Sequence, residues 1–193
     1  MRELLGRDTR SLMTVGGAVV VLMLLRSARG VVIPLWGEHI GLSVSRIGFV
    51  FSASAAVDLL MFIPAGFVMD KAGRRTAGAL CIGIFALGLI VMPLQASFGW
   101  FLVSVILVGL GNGFGAGINM TLGSDLAPDD AVGEFLGLWR LFGDIGATAG
   151  PPLVGAVAAL ISLPLALLSI SLIGFGGAAL MLFAAPETMR LRD

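Results

Sequence analysis

Six apolar stretches follow one another along this chain with only short polar connections between them. They lie near residues 14–36, 45–68, 76–95, 98–121, 133–160 and 164–185. At a rise of 1.5 Å per residue, about 20 apolar residues in a helix match the roughly 30 Å hydrocarbon core of a bilayer. Only helices and closed barrels satisfy every backbone polar group in lipid. A barrel would show strands of about ten residues with alternating polarity, whereas these runs are continuously apolar. The pattern predicts an all-α integral membrane protein: six transmembrane helices forming a single domain over residues 1–193, with no soluble domain.

Composition excludes the water-soluble alternatives. The chain is 58% hydrophobic and 12% charged, and twelve basic with twelve acidic residues cannot cover the surface of a soluble domain of 193 residues. Residues 1–12 are polar and the apolar run after them is too long for a signal-peptide core. The one cysteine, Cys81, falls inside a span and is expected to pack there, which excludes disulfide and CxxC chemistry. The one histidine, His39, sits beside Glu38 in a connection and reads as a solvated loop residue. With no Ser/His/Asp set and no cluster of metal ligands, an enzyme is not expected, nor a cofactor, metal or nucleic-acid partner. A Gly-x-Gly-x-x-Ala match at 111–116 lies in mid-span with no strand before it, so it is not a nucleotide loop.

One connection is abruptly polar: Gly66-Phe-Val-Met-Asp70-Lys71-Ala72-Gly73-Arg74-Arg75, which contains the only lysine. Basic residues accumulate on the cytoplasmic side of membranes. With both termini cytoplasmic, the inside carries Arg2, Arg7, Arg10, Lys71, Arg74, Arg75, Arg190 and Arg192, and the outside only Arg46. The connection Leu122–Val132 would also lie inside, although it carries Asp125, Asp129 and Asp130; acidic residues weigh little in this rule. Within the polar loop, Asp70 is placed to accept hydrogen bonds from the free amides of a neighbouring helix N-terminus. Gly73 permits a tight turn with φ > 0. Gly66, one turn before Asp70, permits close helix approach. Arg74 and Arg75 can reach carboxylates on adjacent helices, with Asp125 or Glu134 as candidates.

The spacing Gly-x-x-x-Asp-(Lys/Arg)-x-Gly-(Arg/Lys)-(Arg/Lys) resembles the loop signature between the second and third helices of each half of major facilitator superfamily transporters. Asp125-Leu-Ala-Pro128 and the following Gly133–Arg140 look like that family's connection between the fourth and fifth helices, although Asp129 and Asp130 stand where basic residues are usual. Gly137, Gly146, Gly150-Pro151 and Gly155 resemble the Gly-x8-Gly-x3-Gly-Pro-x2-Gly-Gly pattern of its drug:proton antiporters, departing from it at Val154. Small residues there would let another helix pack closely, and Pro151 would free a carbonyl and kink the span.

Five charges lie inside spans: Arg26, Arg29, Asp58, Arg140 and Asp144. Each costs about 2.5–3.5 kcal/mol on insertion scales, so each should face protein or a wet cavity. Arg26 and Arg29 share a face at i, i+3, and Arg140 and Asp144 form a local pair at i, i+4. The excess of one positive charge calls for a carboxylate elsewhere, on a solute or on a partner surface. A carboxylate at such a depth, Asp58 or Asp144, is a candidate proton carrier. In the fourth span, Gly109, Gly113 and Gly117 form a smooth stripe, and Asn112 and Asn119, seven residues apart, are expected to share a face along a solute path.

The resemblance implies one six-helix half of a twelve-helix transporter, a 3+3 inverted repeat that works by alternating access. Pro186-Glu187-Thr188 with the basic tail looks like the end of such a protein, which favours the C-terminal half. Implied with it are the lipid bilayer of a plasma (inner) membrane, a small solute, protons, and a second six-helix half supplied by another chain, a missing N-terminal half or a second copy. The glycine pattern tilts the direction toward proton-coupled efflux. The alternatives are a homodimeric channel and a non-transporting regulatory membrane subunit.

Overall fold

The computed structural model describes residues 9–115 and 117–188. Its helices are α1 (Thr9–His39), α2 (Val44–Leu60), α3 (Phe62–Ala72), α4 (Arg74–Val91), α5 (Phe98–Phe114), α6 (Ile118–Leu126), α7 (Val132–Leu160) and α8 (Leu163–Ala179). A 3₁₀ turn, Met92–Leu94, extends α4, and a π-helical turn, Leu180–Ala184, extends α8. No strand occurs among the described residues.

Four segments are long and apolar enough to cross a membrane: Leu12–His39, Arg74–Leu94, Phe98–Leu126 and Leu163–Ala184. The bent pair α2–α3 brings the number to five. The 29-residue α7 is long enough but is not among them; Glu134, Arg140, Asp144 and two prolines dilute its apolar character.

Two of the expected continuous spans are broken. Between α2 and α3 the axis bends by 44° at Met61. Pro64 accounts for the break, because its ring offers no N–H to the Leu60 carbonyl and crowds it. The other break lies between α5 and α6, where Gly117 caps α6 with φ 80°. That left-handed conformation is open to glycine at little steric cost and ends helical continuity. The stripe expected through Gly109, Gly113 and Gly117 therefore stops at Gly113, and Asn119 leaves the face that carries Asn112.

Close approaches at small residues hold the bundle together, as expected where lipid supplies no hydrophobic drive between helices. On α7, Gly146 lies against the Val20 carbonyl of α1, and Gly150 against the Leu24 carbonyl and Ser27 hydroxyl. A Cβ at Gly137 or Gly155 would meet nothing within 4 Å among the described residues, so Gly146 and Gly150 are the members of the expected glycine set that pack there. α7 continues as one helix through Pro151 and Pro152. Gly88 and Gly111 bring α4 and α5 together, and Gly174 seats α8 on Ala86 of α4. Ser171 of α8 donates to the Ala86 carbonyl at 2.7 Å. The centre of the bundle is α1, with Val15, Leu25, Ala28, Val32 and Ile33 fully buried.

Candidate functional site

Two polar assemblies stand out in this apolar bundle, one among α1, α2 and α5 and one at the end of the bundle where α3 meets α4.

The first begins on α1, where the i, i+3 spacing presents Arg26 and Arg29 to α2 and α5. Arg29 is 8% exposed. Its Nη1 donates to Asp58 Oδ2 at 3.2 Å and its Nη2 to Ser54 Oγ at 3.0 Å. Ser54 in turn donates to the Val105 carbonyl at 2.9 Å. Arg26 donates through Nε to Asn112 Oδ1 at 2.8 Å and through Nη2 to the Asn112 carbonyl at 2.9 Å. The Asn112 side-chain amide donates to Asp58 Oδ2. Asn112 thus joins both arginines to one carboxylate, accepting from Arg26 while donating to the oxygen that Arg29 holds. The helices come close enough because Gly109 lies against Ser54 and Gly113 against the Asp58 carbonyl. The Phe51 ring lies 5.3 Å from the Arg29 guanidinium carbon, a cation–π distance. The assembly carries two positive charges and one negative, and Arg26 has no carboxylate partner among the described residues.

The five in-span charges do not form one group. Arg140 and Asp144 pair with each other at 3.7 Å on an open face of α7, their side chains 83% and 63% exposed. Asn119 serves a different contact: the Trp139 indole N–H bonds to its main-chain and side-chain oxygens, both at 2.9 Å. Buried Trp139 ties α6 to α7, with Gly123 against its indole. Sequence reasoning missed Trp139 and also Ser54, whose position one turn before Asp58 was the available signal.

In the second assembly Gly73 alone separates α3 from α4, with φ 86°. Arg74 donates to the Met69 carbonyl at 2.8 Å and to Asp70 Oδ1 at 3.0 Å, and its Nε lies 3.4 Å from Asp125 Oδ2. Asp125 is nearly buried, and Asp70 is 73% exposed. The capping role expected of Asp70 belongs to Glu187: Oε1 accepts from the Arg74 amide at 2.7 Å and Oε2 from the Arg75 amide at 3.3 Å. Asp70 lies within the last turn of α3 and projects from it toward the Arg74 side chain, while the segment after α8 crosses the first turn of α4. Thr188 adds a hydrogen bond to Asp125 at 3.3 Å. Glu134 makes no ion pair with Arg74 or Arg75; it lies in the first turn of α7. Among the described residues Gly66 has no atom within 4 Å of where a Cβ would stand, so none of the described helices approaches it closely. Lys71 is exposed and makes no ion pair among the described residues.

Known proteins resemble this chain over much of its length. Residues 15–192 match the family model described as Major Facilitator Superfamily. The arabinose-proton symporter of Bacillus subtilis (strain 168) is 31% identical over 85 residues, covering 44% of this chain and 18% of that protein. High-affinity glucose transporter 1 of Candida albicans is 26% identical over 99 residues, 51% of this chain and 18% of its own length. The uncharacterized transporter slc-17.3 of Caenorhabditis elegans is 27% identical over 132 residues, 67% of this chain and 24% of its own. The matched chain thus spans no more than 24% of any of these relatives. The superfamily is one of transporters and not of enzymes, in line with the absence of a catalytic set in the sequence. With the family model running from the first span to beyond the residues that cap α4, this chain is an integral membrane protein and a member of the major facilitator superfamily.

Proposed function

We propose that the chain is one six-helix half of a secondary transporter for a small solute, in which Asp58 carries the coupled proton. The observation that supports this most is the Arg26–Asn112–Asp58–Arg29 network, set in helices that are otherwise apolar. Purely structural contacts between these helices do not need charge, and buried ion pairs contribute little net stability over apolar packing. A network with one carboxylate and two guanidinium groups is short of one negative charge, which an anionic group of the solute would supply. A proton on Asp58 would loosen its hold on Arg29 and so tie protonation to the arrangement of these helices. Counting bent α2–α3 as one span, α5–α6 as another and α7 as a further one gives the six spans of this reading. The exposed Arg140–Asp144 pair then needs protein or a wet cavity rather than lipid beside it, and a second half provides that. Both termini are cytoplasmic in this reading, with the Asp70–Arg75 loop and its Asp125, Glu187 and Thr188 partners forming a latch at the cytoplasmic face.

The glycine pattern around Gly146–Pro151 supports proton-coupled efflux. Symport is the second reading, favoured by one relative, the arabinose-proton symporter of Bacillus subtilis. The sign of the proton movement separates them. Liposomes carrying the chain and an internal pH dye, challenged with arabinose, glucose or ethidium, should show a solute-dependent pH change. Its dependence on the number of chains per vesicle should be steeper than linear if a second copy supplies the other half. Passive flux with no pH change would favour the homodimeric channel, and no flux with unaltered folding would favour the regulatory subunit.

A further inference from the structure

The α4–α8 face carries an apolar groove of 460 Å³. On α4 it is lined by Thr76, Leu80, Gly83 and Leu87, spaced along one face of the helix, and its other wall includes Phe175 and Phe183. The groove exists because small residues meet at its floor: a Cβ at Gly83 would stand 3.9 Å from that of Ala178. Phe183, 82% exposed, flanks the slot without filling it. From Thr76 to Leu87 the helix rises about 16 Å, the depth of one leaflet of the hydrocarbon core. Among the lining side chains only that of Thr76 is polar, and it stands at one end.

Basic charge gathers at that same end. Arg75 precedes Thr76 and lies one turn before Ala79 on the helix, and Lys71 lies across the Gly73 turn. Neither side chain forms an ion pair among the described residues, and Arg75 Nε is buried without a hydrogen-bond partner. The nearby carboxylates are engaged: Asp70 and Asp125 with Arg74, and Glu187 with the first amides of α4. With Nε enclosed by protein, the terminal nitrogens of the Arg75 guanidinium are the end open to a ligand, and phosphate is an acceptor whose geometry suits them. We propose that this groove seats one acyl chain of an anionic phospholipid whose phosphate is bound by Arg75, with Lys71 adding attraction. The lipid comes from the leaflet on the Lys71 side. A second copy of the chain is a poorer occupant, because a two-fold axis along the membrane normal would bring two Arg75–Lys71 clusters to the same depth. The inference needs only that the chain lies in a membrane and is independent of whether it transports.

Native mass spectrometry of the full chain, released from bilayers of equal palmitoyl-oleoyl phosphatidylglycerol and phosphatidylcholine, tests it. The expected result is retention of one phosphatidylglycerol in preference to phosphatidylcholine, by about fivefold for each basic residue engaged. Arg75→Gln should remove most of that preference, Arg75→Lys should keep part of it, and Gly83→Leu should lower retention of both lipids. Each variant is first matched to the parent by gel filtration and melting temperature; Leu80→Trp replaces Gly83→Leu if the latter does not fold. Equal retention of the two lipids, a preference that survives Arg75→Gln, or retention unaffected by either groove-filling variant would overturn the proposal. So would a lipid-free dimer that the groove-filling variant dissociates.

Discussion

Glu187 closes on the first turn of α4, its Oε1 accepting from the Arg74 amide at 2.7 Å across 113 positions of sequence. With Arg74 reaching Asp125 and Thr188 reaching the same carboxylate, three separate segments are joined at one end of the bundle. A rearrangement that moves α4 relative to α6 must break the Arg74–Asp125 contact, and one that moves α4 relative to the segment after α8 must break the Glu187 bonds. That coupling gives the loop a physical route to holding one conformation.

Glu187→Ala should therefore loosen the start of α4. Loss of a helix-capping group costs about 0.5–2 kcal/mol. Hydrogen exchange of peptides covering residues 74–78 should accelerate accordingly, while peptides in α1 keep their protection.

Asp125→Ala should cost more than Asp70→Ala. The Asp125 side chain is 6% exposed and Asp70 73%. Losing Asp125 removes the buried partner of Arg74 and the acceptor of Thr188 while Asp70 and the Met69 carbonyl stay in place. The cost should therefore fall between about 0–1 kcal/mol for an exposed pair and about 3–5 kcal/mol for a buried pair broken outright. Melting of the purified variants in one detergent gives the order.

The glycines of α7 should separate into two classes. Gly146→Val and Gly150→Val would drive side chains into the α1 backbone, and folded protein should fall sharply on fluorescence-detected gel filtration. Gly137→Ala and Gly155→Ala meet open space and should be neutral or gain up to about 1 kcal/mol from helix propensity.

The in-span network should prove replaceable for stability and irreplaceable for activity. Arg29→Met alone strands Asp58 beside Asn112, and Asp58→Leu alone strands a buried guanidinium; each should lower the melting temperature. Combining the two should recover most of the loss, since apolar side chains of similar volume often equal a buried pair. Solute-coupled proton movement should stay absent in the double variant.

How much of this was legible in the sequence follows from the cost of charge in lipid. The Asp70–Arg75 loop and the five in-span charges announce themselves because each is expensive in an apolar run. Which of them meet was not legible, because that depends on helix faces brought together by Gly109, Gly113 and Ser54 rather than on spacing along one helix. The i, i+4 pair Arg140–Asp144 was readable as a local pair, but its open position on α7 was not. Asn112 and Asn119 looked equivalent until Gly117 broke the helix between them. Pro64 was an available signal for the α2–α3 bend that the continuous span 45–68 passed over, whereas Glu187 as the cap of α4 required the path of the chain beyond α8.

The central claim is that Asp58 carries the coupled proton. The most direct measurement is the solute-induced pH change inside proteoliposomes for the parent chain and for Asp58→Asn, which keeps the size and hydrogen-bonding shape of the side chain. The account predicts a pH change with the parent chain and none with Asp58→Asn, at matched protein incorporation and melting temperature. A solute-induced pH change of undiminished size in Asp58→Asn would contradict it.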